Sequence, residues 1–169
     1  MTEDLEKQLF DKYEPLFKGR HEPHTCMDGI DCSDGWYHLL DALCGRLVEI
    51  REKYDATCVF DQIKEKFGTL RTYHHVEFGP RWAEDHTLLD GKSGIEKETL
   101  GWTGAGTMPA HEGIVHLIDE ALYVADMESH IICERCGTSG ATRTKTGWVT
   151  TLCNECRKEK KRKEKETSK

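Results

Sequence analysis

The chain has 169 residues, 37% of them hydrophobic and 33% charged, with a net charge of −7. That length suits one core domain plus a small module, and with no run of about 18 apolar residues a membrane span is not expected. The charge is split: residues 157–169 hold eight Lys and Arg against three Glu, a net +5, which leaves −12 on residues 1–156. An acidic body argues against broad duplex-DNA binding, which needs phosphates neutralised over a wide face.

The N-terminal Met1-Thr2-Glu3-Asp4 is acidic and lacks a signal-peptide pattern, so a cytoplasmic protein is expected. Leu5, Leu9, Tyr13 and Leu16 fall on one helical face, which predicts a helix over 3–17 capped by Thr2 and ending near Gly19. Residues 18–34 read as a loop carrying His21, His24, Cys26 and Cys32 with Asp28, Asp31 and Asp34. Their spacing matches no standard structural-zinc pattern. A surface loop with incidental histidines and partly buried thiols is the plainer reading, and a second metal site is the alternative.

Trp36, Leu39, Leu40, Leu43, Leu47 and Ile50 make an apolar stripe that predicts a helix over 35–53, with Ser33 or Asp34 as its cap and Trp36 as a core anchor. Residues 56–76 read as a β-hairpin turning at Gly68, with a helix over Asp61–Phe67 as the competing local choice. Lys64, Lys66 and Arg71 lie close to Phe67 and Tyr73. Cations around aromatics can hold phosphate or stack a base, which makes Lys64, Lys66, Arg71 and Tyr73 candidate ligand or partner contacts; a solvated strand face is the plain alternative. Residues 77–110 are punctuated by glycines. Gly101-Trp102-Thr103-Gly104-Ala105-Gly106-Thr107 is neither a P-loop nor a dinucleotide fingerprint, and the stretch is expected to be an insert serving as a partner-binding flap. Ile114, Ile118, Ala121, Leu122 and Ala125 predict a helix over 110–129, with Pro109 near its first turn.

The strongest chemical signal follows. Cys133-Glu-Arg-Cys136 is separated from Cys153-Asn-Glu-Cys156 by sixteen residues, the first of them Gly137, a spacing that reads as a four-thiolate zinc site. Eight cysteines without a signal peptide point to metal rather than to disulfides. Residues 141–152 are expected to form a short hairpin closing on the second pair, with Trp148 packed over the site. The expected fold class is α+β: a helical and β-hairpin core over 1–129, interrupted by the 77–110 insert, then a zinc-ribbon or treble-clef module over 130–156 and a basic helical tail over 157–169. So small a module gains its folding energy from Zn2+.

Four pieces together carry a resemblance. Asp34-Gly35-Trp36-Tyr37, the run Gln62 to Tyr73, Glu128-Ser129 ahead of Cys133-Glu-Arg-Cys136-Gly137, and Gly147-Trp148 ahead of Leu152-Cys153-Asn-Glu-Cys156 resemble a group of small bacteriophage and prophage proteins. The resemblance covers most of the chain except the 77–110 insert and the tail. It implies a phage origin, a C-terminal zinc knuckle pair and a place in the host cell cytoplasm. Some members of the group have histidine where this chain has Cys156, which fits a metal-ligand role there. The resemblance implies no activity.

Three functions compete. The first is a non-catalytic accessory protein that binds a host protein or small ligand, as an inhibitor of a host or defence factor would. The second is a nucleic-acid-binding zinc module, favoured by the basic tail and opposed by the acidic body. The third is a metal-dependent nuclease using His74, His75, Asp85 and His86. The sixteen residues between the cysteine pairs contain no His, Asp or Asn, so a catalytic set between the knuckles is missing, and four thiolates leave a zinc no open position.

Overall fold

The computed structural model describes residues 1–21, 29–80, 110–144 and 147–167. Helix α1 spans Glu3–Lys12, with Glu3, Asp4 and Glu6 at its positive end and Lys12 at its negative end. It is shorter than the expected 3–17, and Thr2 supplies no side-chain cap; its backbone N–H instead donates to Asp34 Oδ1 at 2.7 Å. Pro15 explains the early stop, since its ring would meet the carbonyl four residues back. The chain continues in two 3-10 segments, Glu14–Leu16 and Lys18–His21, which still bury Leu16 and Phe17.

Strand β1, Ile30–Asp31, was not legible in the sequence; two residues carry no periodicity. A 3-10 turn, Asp34–Trp36, opens helix α2, Tyr37–Tyr54, which buries Leu39, Leu40, Leu43, Cys44, Leu47 and Ile50. Asp55 ends α2 in the left-handed region at φ 54°, its N–H donating to Arg51 O at 2.8 Å. Strands β2, Ala56–Lys66, and β3, Thr69–Phe78, form the expected hairpin. Phe67 and Gly68 both take positive φ, 55° and 74°, the geometry of a type I′ turn. The helical alternative over Asp61–Phe67 does not form.

The sheet is mixed, in the order β1-β2-β3. β1 runs parallel to β2, pairing Ile30 with Ile63, and β3 runs antiparallel to it. Helix α3, Ala110–Ser129, packs against β3 and against α2, while α2 packs on β2. Among the described residues, Trp36, Phe60, Leu9, Leu16, Leu40, Leu47, Ile63, Leu70, Ile114 and Ile118 are the large, fully buried side chains of one continuous core, and Trp36 is the anchor its sequence position suggested. Strands β4, Thr142–Arg143, and β5, Thr151–Leu152, pair antiparallel, and helix α4 runs from Asn154 to Thr167. The whole is α+β. None of the described helices is long and apolar enough to cross a membrane.

Candidate metal centre

The first cysteine pair sits just beyond the end of α3. There Ser129, fully buried, accepts the N–H of Leu70 at 2.9 Å and so ties the helix terminus to β3. Three residues later the chain enters a tight knuckle. Cys133 N–H donates to Thr138 O, and Gly137, at φ 75°, donates back to Cys133 O, both at 2.9 Å. A side chain would be strained at that φ, which accounts for glycine after the first pair. The second pair straddles the start of α4. Cys153 precedes the first helical residue, and the Cys156 N–H points at its sulfur at 3.5 Å. This is the position where an N-capping side chain accepts a free helix N–H, and the positive end of the helix favours a thiolate there.

The four sulfurs all lie within 4.8 Å of one another. Cys136 Sγ and Cys153 Sγ are 3.7 Å apart. That is far beyond a disulfide of about 2.05 Å, and it matches the edge of a tetrahedron, about 3.8 Å, built on Zn–S bonds of about 2.3 Å. Cys133, Cys153 and Cys156 are buried and Cys136 is exposed. The Thr138 hydroxyl, 3.3 Å from Cys136 Sγ, and the Thr138 backbone hold that thiol down at about 6. Burial pushes the Cys156 thiol up, as do the hydrogen bonds it makes to the neighbouring cysteine sulfurs. Four sulfurs this close can all ionise only around a cation. Among the described residues this is the one His/Cys/Asp/Glu group placed to hold a metal ion such as zinc. The order knuckle, hairpin, helix, with the second pair at the helix start, is the treble-clef arrangement of the two anticipated.

Backbone contacts join this module to the body. Gly35 N–H donates to Glu134 O at 2.9 Å, and Trp36 Nε1 donates to Ile132 O at 3.1 Å. A Cβ on Gly35 would stand 2.3 Å from Cys133 O, so only glycine lets the knuckle approach. At the other end Gly68 lies against Thr150 and Thr151, Thr151 Oγ1 donates to Gly68 O, and Arg143 Nη2 donates to Phe67 O at 2.7 Å. Glu134, buried, ties its backbone N–H to Thr151 O and accepts the Thr151 N–H on Oε2, each at 3.0 Å. Burial raises its carboxyl pKa. The sequence assigned no role to Glu134 or Gly35; the Asp34-Gly35-Trp36 segment and the Gly68 turn are the two seats of the module.

Trp148 does not cover the sulfurs. It is 77% exposed, because Ala141 and Leu152 already fill the small apolar cluster around Cys133, Cys153 and Cys156. It stands instead at a groove of about 700 Å³ between the β4–β5 hairpin and α4, lined also by Arg143, Arg157, Lys160 and Lys161.

The register pairs Lys64 with Arg71 and Gln62 with Tyr73, which puts Lys64, Lys66, Arg71 and Tyr73 on one face of the β2–β3 hairpin. Arg71 is neutralised by Asp126 at 2.8 Å, and the Lys64 ammonium lies 4.9 Å from the Tyr73 ring centre. His74 and His75 alternate across β3. His74 faces Asp119 of α3 at 3.6 Å, while His75 meets Asp61 at 2.9 Å and Glu77 at 3.5 Å, so the two do not converge. Asp85, His86 and the rest of the 81–109 segment lie outside the described residues, as do His24 and Cys26. Cys32 is buried, its thiol pushed up to about 12 by loss of solvent.

Fold and site together define a small α+β protein with a four-cysteine treble-clef module. Comparison with family models, with curated proteins and with solved structures finds no match to this chain.

Proposed function

We propose that the chain is a non-catalytic, zinc-stapled binding protein. The observation that supports this is the closed four-sulfur cluster seated on the body through Gly35 and Gly68. Four protein thiolates saturate a tetrahedral zinc, so the ion has no site for water or substrate and serves to hold the module's shape. Phage origin and residence in the host cytoplasm rest on the sequence resemblance. Two partner classes suit such a module: a host protein or small ligand, and a nucleic acid. The basic face of α4 beside Trp148 favours the nucleic acid. Lys64, Lys66 and Tyr73 add a second basic and aromatic face, with Arg71 already paired to Asp126.

The test is metal analysis of purified protein beside a Cys153→Ser/Cys156→Ser variant. About one zinc per chain is expected in the parent, with loss in the variant. A folded parent without bound metal would refute the staple.

A further inference from the structure

We propose that the groove between the β4–β5 hairpin and α4 binds single-stranded nucleic acid, with a base stacked on Trp148 and the adjoining phosphates on Arg157, Lys160 and Lys161. The proposal rests on the zinc-stapled reading, since the cluster fixes both walls: β5 leads into Cys153, and Cys156 lies in the first turn of α4.

Trp148 offers the platform. It is the most exposed of the large apolar side chains among the described residues, and Gly147, at φ 72°, carries the chain into it with open space around its Cα. An indole left in water beside cations suits a π-face waiting for a flat partner.

The cations lie on one stripe of the helix. Arg157, Lys160 and Lys161 fall at i, i+3 and i+4, all lining the groove. Two of the four glutamates of α4 pair away from the groove: Glu159 with Arg135 at 2.9 Å and Lys163 at 3.7 Å, and Glu166 with Arg162 at 3.9 Å. Lys160 and Lys161 form no ion pair among the described residues. Arg157 braces the wall through Nη2, which donates to Thr142 Oγ1 at 2.8 Å and Leu152 O at 3.3 Å. Its Nε is buried and has no acceptor. That N–H is an unsatisfied buried donor, so the anion contact assigned to Arg157 is that of its charge at the groove wall. Glu164 is the acid in the lining, one turn beyond Lys160 and Lys161.

Single-stranded nucleic acid supplies both halves of this chemistry. A duplex keeps its bases stacked on one another and away from an isolated indole, and the −12 charge of residues 1–156 opposes a wide polyanion. An acidic peptide would satisfy the lysines but leave Trp148 without a flat partner.

Fluorescence anisotropy on the zinc-loaded full chain tests this, with labelled oligothymidylate, oligouridylate and a hairpin duplex as probes and polyglutamate as competitor. Single strands are expected to bind at least ten-fold tighter than the duplex, and the DNA and RNA arms tell which backbone is preferred. Trp148→Ala should weaken binding roughly ten-fold while Trp148→Phe retains most of it, both with unchanged zinc content and melting temperature. Lys160→Ala/Lys161→Ala should lower the salt dependence, the slope of log K against log salt, by roughly 1.4 for two phosphate contacts. No binding by zinc-loaded protein, equal affinity for duplex, equal competition by polyglutamate, or indifference to Trp148→Ala would each overturn the groove and leave the staple standing. Trp148-dependent binding by protein without zinc would uphold the groove and sink the staple.

Discussion

Gly35 and Gly45 make opposite use of the same missing side chain. At Gly35 a methyl would press on the backbone of Cys133, Glu134 and Cys136 at 2.3 to 2.7 Å, and backbone cannot yield as a flexible side chain does. At Gly45, inside α2, it would meet only the Tyr13 hydroxyl at an ordinary 3.6 Å. Gly35→Ala is therefore expected to cost about 1–3 kcal/mol and to speed zinc loss to a chromogenic chelator. Gly45→Ala should stabilise by about 0.5–1 kcal/mol, the ordinary gain in a helix interior. Urea midpoints of the two variants read both signs. Nothing in the sequence separates these glycines, because one depends on a knuckle nearly a hundred residues away. The four clustered cysteines are the opposite case: their spacing is local, and it marked them as a group that could hold a metal before any fold was known.

The elements that could be read from sequence are those long enough to repeat a period. α2, α3 and the β2–β3 hairpin fall within a residue or two of expectation. β1 escaped notice because two residues have no pattern, and α1 overran because its apolar face continues smoothly into 3-10 turns past Pro15. The seam between α1 and α2 also carries a titratable element. Lys12 Nζ lies 2.7 Å from Asp41 Oδ1, and the Tyr13 hydroxyl donates to the same oxygen at 2.9 Å. The Lys12 hydrogen bond, helped by Tyr13, holds the Asp41 carboxyl below its ordinary range. A depressed folded pKa gives stability that is present above the unfolded value of about 4 and is lost as pH falls through the folded one. Asp41→Asn should thus be less stable than the parent at neutral pH and lose less on acidification. Denaturant midpoints from pH 7 down to pH 3 would show the two curves converging; parallel curves would remove Asp41 from the account.

At the scale of the whole molecule, the described residues form two apolar clusters of unequal size. The large one holds Trp36, the two long helices and the sheet, and includes none of the four metal-site cysteines; the small one consists of Cys133, Ala141, Leu152, Cys153 and Cys156. Five residues, three of them candidate metal ligands, cannot hold a module together by burial alone. Removing metal is therefore expected to open residues 133–156 while the body stays folded. Limited proteolysis after chelation should cut within that stretch and leave a protected fragment containing α2, β2, β3 and α3. Cutting throughout the chain at the same rate would mean that the two clusters unfold as one.

The hydrogen bond from Trp36 to Ile132 spans 96 residues, and that separation imposes an order in time. During synthesis the Asp34-Gly35-Trp36 seat leaves the ribosome well before the first knuckle exists. The indole N–H must wait, solvated or misdirected, until α3 has docked and carried the chain back to it. Metal capture by the four cysteines would then be a late event of assembly, locking a surface the body has already prepared.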